Sequence, residues 1–300
     1  MTAAGAPAVN IAARPTGGGR RLSISWVGVL PFFAYAGLFL LLPSAIILIG
    51  SFTAPGGGFS LSNFTAINKP YMVKAFTTSL SVSAVSAVLG AVVGAILAYA
   101  VVTGNPRGLL RRMIMSASGV LAQFGGVALA FAFIATISTV GFVYLFLKDH
   151  GLDIYAHGVW LYDPPGITLI YVYFQIPLMV LVFLPALDGI RPQWREATQS
   201  LGGSTWHYWR YVAGPLLAPS FLGCTLLLFA NAFSAYATVA ALLTNGGNYI
   251  TLQIQALLTG EDARTQPGLA QALALAMILI VVVVMTVYAV LQRRTSRWLG

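Results

Sequence analysis

Six long stretches without any Asp, Glu, Lys or Arg dominate the sequence and limit the folds open to the chain. They cover residues 22–68, 75–106, 113–147, 164–187, 211–260 and 265–292. Each exceeds the roughly 20 residues that a helix needs to cross the hydrocarbon core of a bilayer. The 300 residues are 58% hydrophobic and 8% charged, whereas soluble domains carry about 25% charged residues. A surface with so few charges has to face lipid.

Two of these stretches contain turn motifs, so each is predicted to hold one membrane-spanning helix and a loop. We therefore predict six membrane-spanning helices in total. Pro-Gly-Gly-Gly at 55–58 and Asn-Gly-Gly-Asn at 245–248 are typical of loops. The predicted spans are residues 27–51, 75–102, 113–133, 167–187, 216–243 and 269–291. Helices are expected because backbone polar groups must be satisfied within lipid, and the stretches are too long for the strands of a β-barrel. The predicted fold is an all-α membrane protein.

The distribution of basic residues predicts the orientation of these spans. An even number of spans places both termini on one side of the membrane. Twelve of the 16 Lys and Arg residues fall on that side, and cytoplasmic segments carry the excess of basic residues. Residues 1–22 are expected to form a flexible cytoplasmic tail, with a cleaved signal peptide as the competing interpretation. Residues 23–292 would form the transmembrane domain, and residues 293–300 a second cytoplasmic tail.

One polar segment with adjacent glycines separates the fourth and fifth predicted spans. It covers residues 196–215 and reads EATQSLGGSTWHYWRYVAGP. A short helix beginning near residues 194–196 is expected to stop at the glycines 202–203, because glycine tolerates the positive φ common at helix C-termini. Ser204 or Thr205 can cap a second short helix. From the residues alone, this helix–turn–helix is either a docking surface for another protein or an amphipathic loop lying on the bilayer.

The order and spacing of this segment resemble the EAA loop of type I ABC-importer permeases, E-A-A-x3-G-x9-I-x-L-P. The resemblance implies a cytoplasmic coupling loop over residues 190–215 that receives force from an ATPase. The implied functional residues are Glu196, Ala197, Leu201, Gly202 and Pro215. Among these, Glu196 and Gly202 would couple the ATPase to transport, while Ala197 and Leu201 would pack in a groove of the ATPase. Three positions depart from the family pattern of Ala, Ile and Leu: Thr198, Val212 and Gly214.

Nearly the whole chain resembles this family, which implies transport without catalysis. The chain is predicted to be a multi-pass permease subunit of the bacterial inner (cytoplasmic) membrane, and not an enzyme. The implied partners are two ATPase subunits, a second permease that is identical or homologous, an extracytoplasmic substrate-binding protein and the lipid bilayer. No cofactor is expected in this chain, which lacks a G-x-x-x-x-G-K-[ST] motif. ATP and Mg²⁺ would bind to the ATPase.

The expected substrate rests on weaker similarities. The segments YFQIP at 173–177, FSAYATVAALL at 233–243 and PGLAQAL at 267–273 resemble the spermidine/putrescine, iron and phosphonate subgroup. A small polar solute, and first a polyamine-like cation, is therefore expected. Iron complexes, a phosphonate compound, thiamine and sugars are the alternatives.

Polar and small residues within the apolar stretches supply further candidates. Four polar residues either line the translocation path or form helix–helix hydrogen bonds: Gln123, Gln175, Asn231 and Ser234. The second span carries a stripe of small residues that includes Gly90 and Gly94. Such a stripe predicts close helix packing, either within the chain or toward a partner permease or the pore.

Other classes of function fit the sequence less well. The predicted spans contain no charged residue, which argues against a stand-alone secondary transporter, because such proteins use buried ionisable groups for ion coupling. No metal site is expected, since His150, His157 and the aspartates near them have no ligand spacing of a known cage. The net charge of +9 is scattered between apolar stretches and forms no basic face, so nucleic-acid binding is not expected.

Overall fold

The computed structural model describes residues 25–54, 57–104, 108–243, 247–260 and 267–296. Within these ranges the chain is helical apart from turns, loops and one isolated bridge between Thr53 and Phe59. Six helical segments in these ranges are long and apolar enough to cross a membrane: Val29–Ser51, Pro70–Thr103, Gly126–Asp149, Pro164–Asp188, Thr205–Phe233 and Gly268–Val290. The prediction of an all-α membrane fold with six spans is confirmed. The predicted tail 1–22 and residues 297–300 of the other tail lie outside the described residues.

Residues 25–46 belong to a unit separate from the rest of the chain. Helix α1, Ser25–Ala36, passes through a π-helical turn at Gly37–Leu41 into helix α2, Leu42–Ser51. The turn comes directly before Pro43 in α2, whose missing N–H interrupts the regular helical hydrogen bonds. Between residues 29 and 46 no side chain is buried. This apolar surface requires lipid or another protein to cover it.

The residues from Ile47 onward form a second unit built around two long helices. Helix α4, Pro70–Thr103, follows the short helix α3, Ser62–Ile67, and makes its most extensive contact with helix α8, Pro164–Asp188. Helix α11, Gly214–Phe233, packs on both of them, and helix α14, Pro267–Ser296, packs on α11. The side chains of these helices form one continuous apolar cluster that includes Met179 and Phe183.

Two glycines allow the close approach of α4 and α8. A Cβ atom added to Gly94 would lie 2.5 Å from Met179 Cβ, and one added to Gly90 would lie 2.7 Å from Gln175 Cβ. Helix backbones can approach this closely only where small residues line the contact. The stripe of small residues in the second span therefore packs within the chain.

Two of the predicted spans are wrong because the helices break inside them. Helix α5, Leu109–Gln123, ends before a new helix α6, Gly126–Ile137, so the predicted span 113–133 crosses a break. Gly126 has a φ of +66°, which favours glycine and interrupts the helix. The apolar segment Gly126–Asp149 instead contains α6 and helix α7, Phe142–Asp149.

The fifth predicted span, 216–243, is also too long. Its helix ends at Phe233, and a turn leads to helix α12, Ala237–Leu242, which packs against α6. Helix α13, Ile250–Thr259, follows and contacts α14. The last helix runs to Ser296, four residues beyond the predicted boundary at 292. A stretch without charges shows that a segment is apolar, but it does not show where its helix breaks.

The connection between α7 and α8 is held by aromatic side chains. Tyr155 donates a hydrogen bond from its hydroxyl to the Ile137 carbonyl at 2.6 Å, and the Trp160 indole donates to the Ile154 carbonyl at 2.9 Å. Burial raises the pKa of the Tyr155 phenol above its usual value. Among the described residues, no group of three or more His, Cys, Asp or Glu side chains is placed to hold a metal ion.

Candidate functional site: a docking element and a polar cavity

The segment between α8 and the fifth apolar helix folds into two short helices, and we name residues 192–213 the docking element. Helix α9, Pro192–Ser200, begins with proline, whose missing N–H removes no hydrogen bond in the first turn. Helix α10, Thr205–Tyr208, follows, and a π-helical turn at Trp209–Ala213 joins it to α11. The expected helix–turn–helix is present, but its second helix continues without a break into the apolar segment Thr205–Phe233.

Gly202 ends α9 in the conformation that the sequence predicts. Its φ is +77°, in the left-handed region. The Gly202 N–H donates to the Gln199 carbonyl and the Gly203 N–H donates to the Thr198 carbonyl, both at 2.9 Å. This pair of bonds is the Schellman arrangement that closes helix C-termini. A Cβ added to Gly202 would meet nothing within 4 Å, so the backbone conformation, and not space, requires glycine here.

Ser204 begins α10 with a reciprocal cap. Its hydroxyl oxygen accepts a hydrogen bond from the His207 N–H at 3.4 Å, and its own N–H donates to His207 Nδ1 at 3.3 Å. Of the two residues predicted to cap this helix, Ser204 is the cap. The backbone groups at both helix ends of the turn are therefore hydrogen-bonded.

The π-helical turn explains one departure from the family pattern. The Gly214 N–H donates to the Trp209 carbonyl, five residues back. A Cβ added to Gly214 would overlap that carbonyl oxygen, so the leucine of the family pattern does not fit in this backbone. Pro215, which lacks an N–H, follows directly and lies inside a continuous helix. A π turn next to such a proline keeps the helix unbroken.

All five predicted coupling residues are exposed: four lie on α9 and the turn after it, and Pro215 lies in the first turn of α11. Glu196, Ala197, Leu201 and Gly202 are all exposed on α9 and the turn after it, and Leu201 is 88% exposed. Trp206 on α10 is 68% exposed. Large exposed apolar side chains at such a turn make it a candidate contact surface.

The opposite side of the docking element is fixed to the ends of the long helices. Tyr208 is buried, and the Trp209 ring meets the Tyr99 ring of α4 edge to face with centroids 5.2 Å apart. At this same end of α8, Arg111 and Asp188 form an ion pair at 2.6 Å. The docking element therefore packs directly on the ends of the long helices.

A polar cavity of about 340 Å³ lies where the two helix breaks meet. Three of the four predicted path residues line it together: Gln123 at the end of α5, and Asn231 and Ser234 at the end of α11. Irregular backbone at membrane depth is tolerated only where protein buries it or where it lines a cavity. None of the lining residues is charged, so the cavity offers neutral hydrogen-bonding groups.

Gln175, the fourth predicted path residue, lies elsewhere. Its side chain is fully buried between α8 and α4, where its amide nitrogen donates to the Ser86 hydroxyl at 3.0 Å. Its amide oxygen is buried without a hydrogen-bond partner among the described residues. In this structure Gln175 forms a helix–helix hydrogen bond, which was the alternative to a path role.

The sequence prediction missed Gly125, Gly126 and Thr238, which also line the cavity. The signal was present, because adjacent glycines within an apolar stretch mark a break. Thr238 carries no comparable signal, because its position depends on the turn that brings α12 against α6.

Several known proteins are similar to this chain in sequence. The family described as "Binding-protein-dependent transport system inner membrane component" matches residues 142–297. The thiamine transport system permease protein ThiP of Escherichia coli K12 is 31% identical over 119 residues, 39% of this chain and 22% of that protein. This chain therefore matches about a fifth of the length of that relative. A probable sulfate transport system permease protein, cysT of Nephroselmis olivacea, is 26% identical over 233 residues, 74% of each chain.

Two solved structures share the fold. A chain of a bacterial ABC transporter that imports the acidic polysaccharide alginate superposes with a TM-score of 0.70 at 18% identity, over 90% of this chain and 95% of that one. A chain of the MetNI methionine ABC transporter superposes with a TM-score of 0.53 at 15% identity, over 74% of this chain and 95% of that one. With the family match over more than half of its length, this chain belongs to the binding-protein-dependent transport system inner membrane components, the membrane permease subunits of ABC importers.

Proposed function

We propose that the docking element receives force from an ATPase and passes it to the helices that enclose the path. The observation that carries this proposal is its two-sided construction. Glu196, Ala197 and Leu201 are exposed on one side, while Tyr208 and Trp209 pack against the helix ends on the other. Exposed apolar groups beside a charge are typical of the anchors in protein interfaces.

The mechanism follows from the continuity of the second helix. Because α10, the π-helical turn and α11 form one helix from Thr205 to Phe233, a push at Trp206 tilts the whole segment. The far end of that segment carries Ser234, which lines the polar cavity. Movement at the docking element would therefore change the shape of the cavity, some 28 residues of helix away, or about 40 Å at 1.5 Å per residue.

The partners follow from the same proposal. Two ATPase subunits would bind the docking surfaces of two permeases, hydrolyse ATP with Mg²⁺, and leave this chain without a cofactor. The second permease would be a copy or a homologue of this chain. A substrate-binding protein would dock on the other face, since the alginate transporter has also been solved in complex with a periplasmic protein. The exposed apolar helix of the first unit leaves surface for lipid and for the second permease.

The proposed orientation places the docking element and both termini in the cytoplasm. Two features support it. The side predicted to be cytoplasmic carries twelve of the 16 basic residues. The predicted spans 113–133 and 167–187 also leave Arg111 and Asp188 on that same side, and these two residues form an ion pair.

The polyamine-like substrate finds no support in the relatives, whose names refer to thiamine and to sulfate. We infer that the solute is small and polar, and that thiamine and sulfate are the first candidates. The cavity could hold a cationic or an anionic solute, because Gln123, Asn231 and Ser234 offer neutral hydrogen-bond donors and acceptors. Uptake of labelled solutes distinguishes thiamine from sulfate.

The coupling proposal is tested with two substitutions at one residue. Gly202→Asn keeps the left-handed conformation accessible, whereas Gly202→Pro fixes φ near −65° and destroys the turn. In liposomes that contain the whole importer, the Asn variant should retain ATP-dependent uptake. The Pro variant and Glu196→Ala should continue to hydrolyse ATP but lose uptake. Unchanged uptake in the Pro variant would remove the coupling role from this turn.

The substrate is tested in the same liposomes with radiolabelled thiamine, sulfate and spermidine, each with and without ATP inside. Uptake of one solute that requires ATP and the binding protein identifies the cargo. Uptake of any solute without ATP would favour a secondary transporter and contradict the importer mechanism proposed for this chain.

A further inference from the structure

An apolar groove of about 410 Å³ opens on the surface between α4, α8 and the beginning of α11. Its apolar walls include four aromatic side chains: Tyr99, Phe183, Trp209 and Phe221. The volume falls within the roughly 300–1,000 Å³ of small-molecule sites. The groove is separate from the polar cavity, and neither the docking surface nor the proposed path uses it.

Beside the groove lies a smaller cavity of about 130 Å³ that has a different character. The two are neighbours that share Tyr99, Leu187 and Trp209 as walls, and we call them together the passage. The smaller cavity also contains Arg195 of the docking element and Thr103 at the end of α4. The passage is therefore apolar along the helices and basic at the mouth, where the helices end.

The groups at the mouth are available to a ligand. The Arg195 side chain is exposed and forms no ion pair with another described residue. The Tyr99 hydroxyl and the Trp209 indole N–H have no hydrogen-bond partner in the described parts of the chain either. Tyr and Trp are the residues that meet lipid headgroups at the membrane surface, and basic pockets between membrane helices bind anionic headgroups.

We propose that this passage binds one anionic phospholipid, with an acyl chain along Phe183 and Phe221 and the phosphate at Arg195. The charge at the mouth distinguishes this occupant from a neutral lipid. The ligand would touch the π-helical turn through Trp209, at the joint between the docking element and α11. Lipid composition would then influence how far a push from the ATPase tilts that helix, a consequence that rests on the proposed function, although lipid binding itself does not.

Two pairs of variants test the proposal in the complete importer, reconstituted in nanodiscs with equal amounts of phosphatidylglycerol and phosphatidylcholine. Arg195→Gln removes the cation at the mouth, and Arg112→Gln, at an exposed arginine of α5 outside the passage, is its control. Ala218→Phe fills the groove, and Ala84→Phe, at an exposed alanine of α4 outside it, is its control. Native mass spectrometry counts the phospholipids that each assembly retains.

The original importer and both controls should retain phosphatidylglycerol in excess. Arg195→Gln should lower the ratio of phosphatidylglycerol to phosphatidylcholine about fivefold, as expected for one basic residue at a membrane surface. Ala218→Phe should remove one lipid for each copy of this chain. An unchanged ratio in Arg195→Gln would overturn the assignment. If Ala218→Phe separates the two permease subunits but leaves lipid retention unchanged, the groove is a protein interface and the lipid proposal is overturned.

Discussion

Replacing Gly94 by alanine places one methyl group in the contact between α4 and α8. The new Cβ would lie 2.5 Å from Met179 Cβ and 2.8 Å from the Ile176 carbonyl oxygen. Both atoms belong to the body of α8, so neither can move without the helix. Overpacking a core costs typically 1–3 kcal/mol, and the rigidity of both neighbours favours the upper part of this range. Replacing a glycine in a helix interior by alanine stabilises the helix by about 1 kcal/mol.

A second variant separates these two contributions. Gly119→Ala in α5 gains the same helix propensity, but its Cβ would meet nothing within 4 Å. The difference between the two variants is therefore the steric cost, about 2–3 kcal/mol. At roughly 2–4 °C per kcal/mol for chains of 150–250 residues, Gly94→Ala should unfold about 4–12 °C below Gly119→Ala.

The chain contains a natural reporter for this measurement. Cys224 is its single cysteine, and the Sγ atom lies 3.6 Å from the Val182 carbonyl of α8. A dye that fluoresces on reaction with thiols will report the temperature at which α11 separates from α8. Equal unfolding temperatures for the Gly94 and Gly119 variants would refute the close-packing argument and show that α4 and α8 are farther apart than in this structure.

Three further predictions concern buried polar groups, each measured by the same thermal unfolding. Ser86→Ala leaves the Gln175 amide nitrogen without its acceptor and should cost about 1–3 kcal/mol, whereas adding Gln175→Met should recover most of that loss; no recovery would contradict the pairing. Asn63→Ala removes two hydrogen bonds, of 3.1 and 2.9 Å, to carbonyls at the end of the first span and should cost about 1–3 kcal/mol; an exposed Asn248→Ala control should be neutral. Tyr155→Phe removes the bond to the Ile137 carbonyl and should cost about 1 kcal/mol. Folding raises the pKa of the Tyr155 phenol above its usual value of about 10. The buried hydroxyl therefore stabilises the fold fully below about pH 10, and this stabilisation is lost at higher pH. If Tyr155→Phe loses as much stability in alkali as the original chain, the role of this phenol is contradicted.

The number of spans and the turn of the docking element could be predicted because both depend on local chemistry. A long apolar stretch without charges predicts a membrane helix. The break after α9 depends on Gly202 alone, since few other residues adopt its positive φ. The cap of α10 likewise depends on Ser204 and the residue three positions later.

The break in the fifth span could not be located in the same way, because the turn after Phe233 carries no glycine or proline. In the third span, Gly125 and Gly126 do mark a break, but they do not show which helix packs against it. What fixes these turns is the packing of α6 against α12, and the two helices are separated by about a hundred residues of sequence. Sequence periodicity carries no information about a contact at that separation.

The roles of the polar residues show the same division. By itself the sequence determined that this chain lies in a membrane, that it spans the membrane six times, and that two short helices joined at a glycine turn follow the fourth span. Only the tertiary structure decided that Gln175 bonds to Ser86 while Asn231 and Ser234 line a cavity. The reason is physical: hydrophobicity and backbone conformation belong to each residue and its neighbours, whereas the surroundings of a polar side chain within the membrane depend on which helix packs against it.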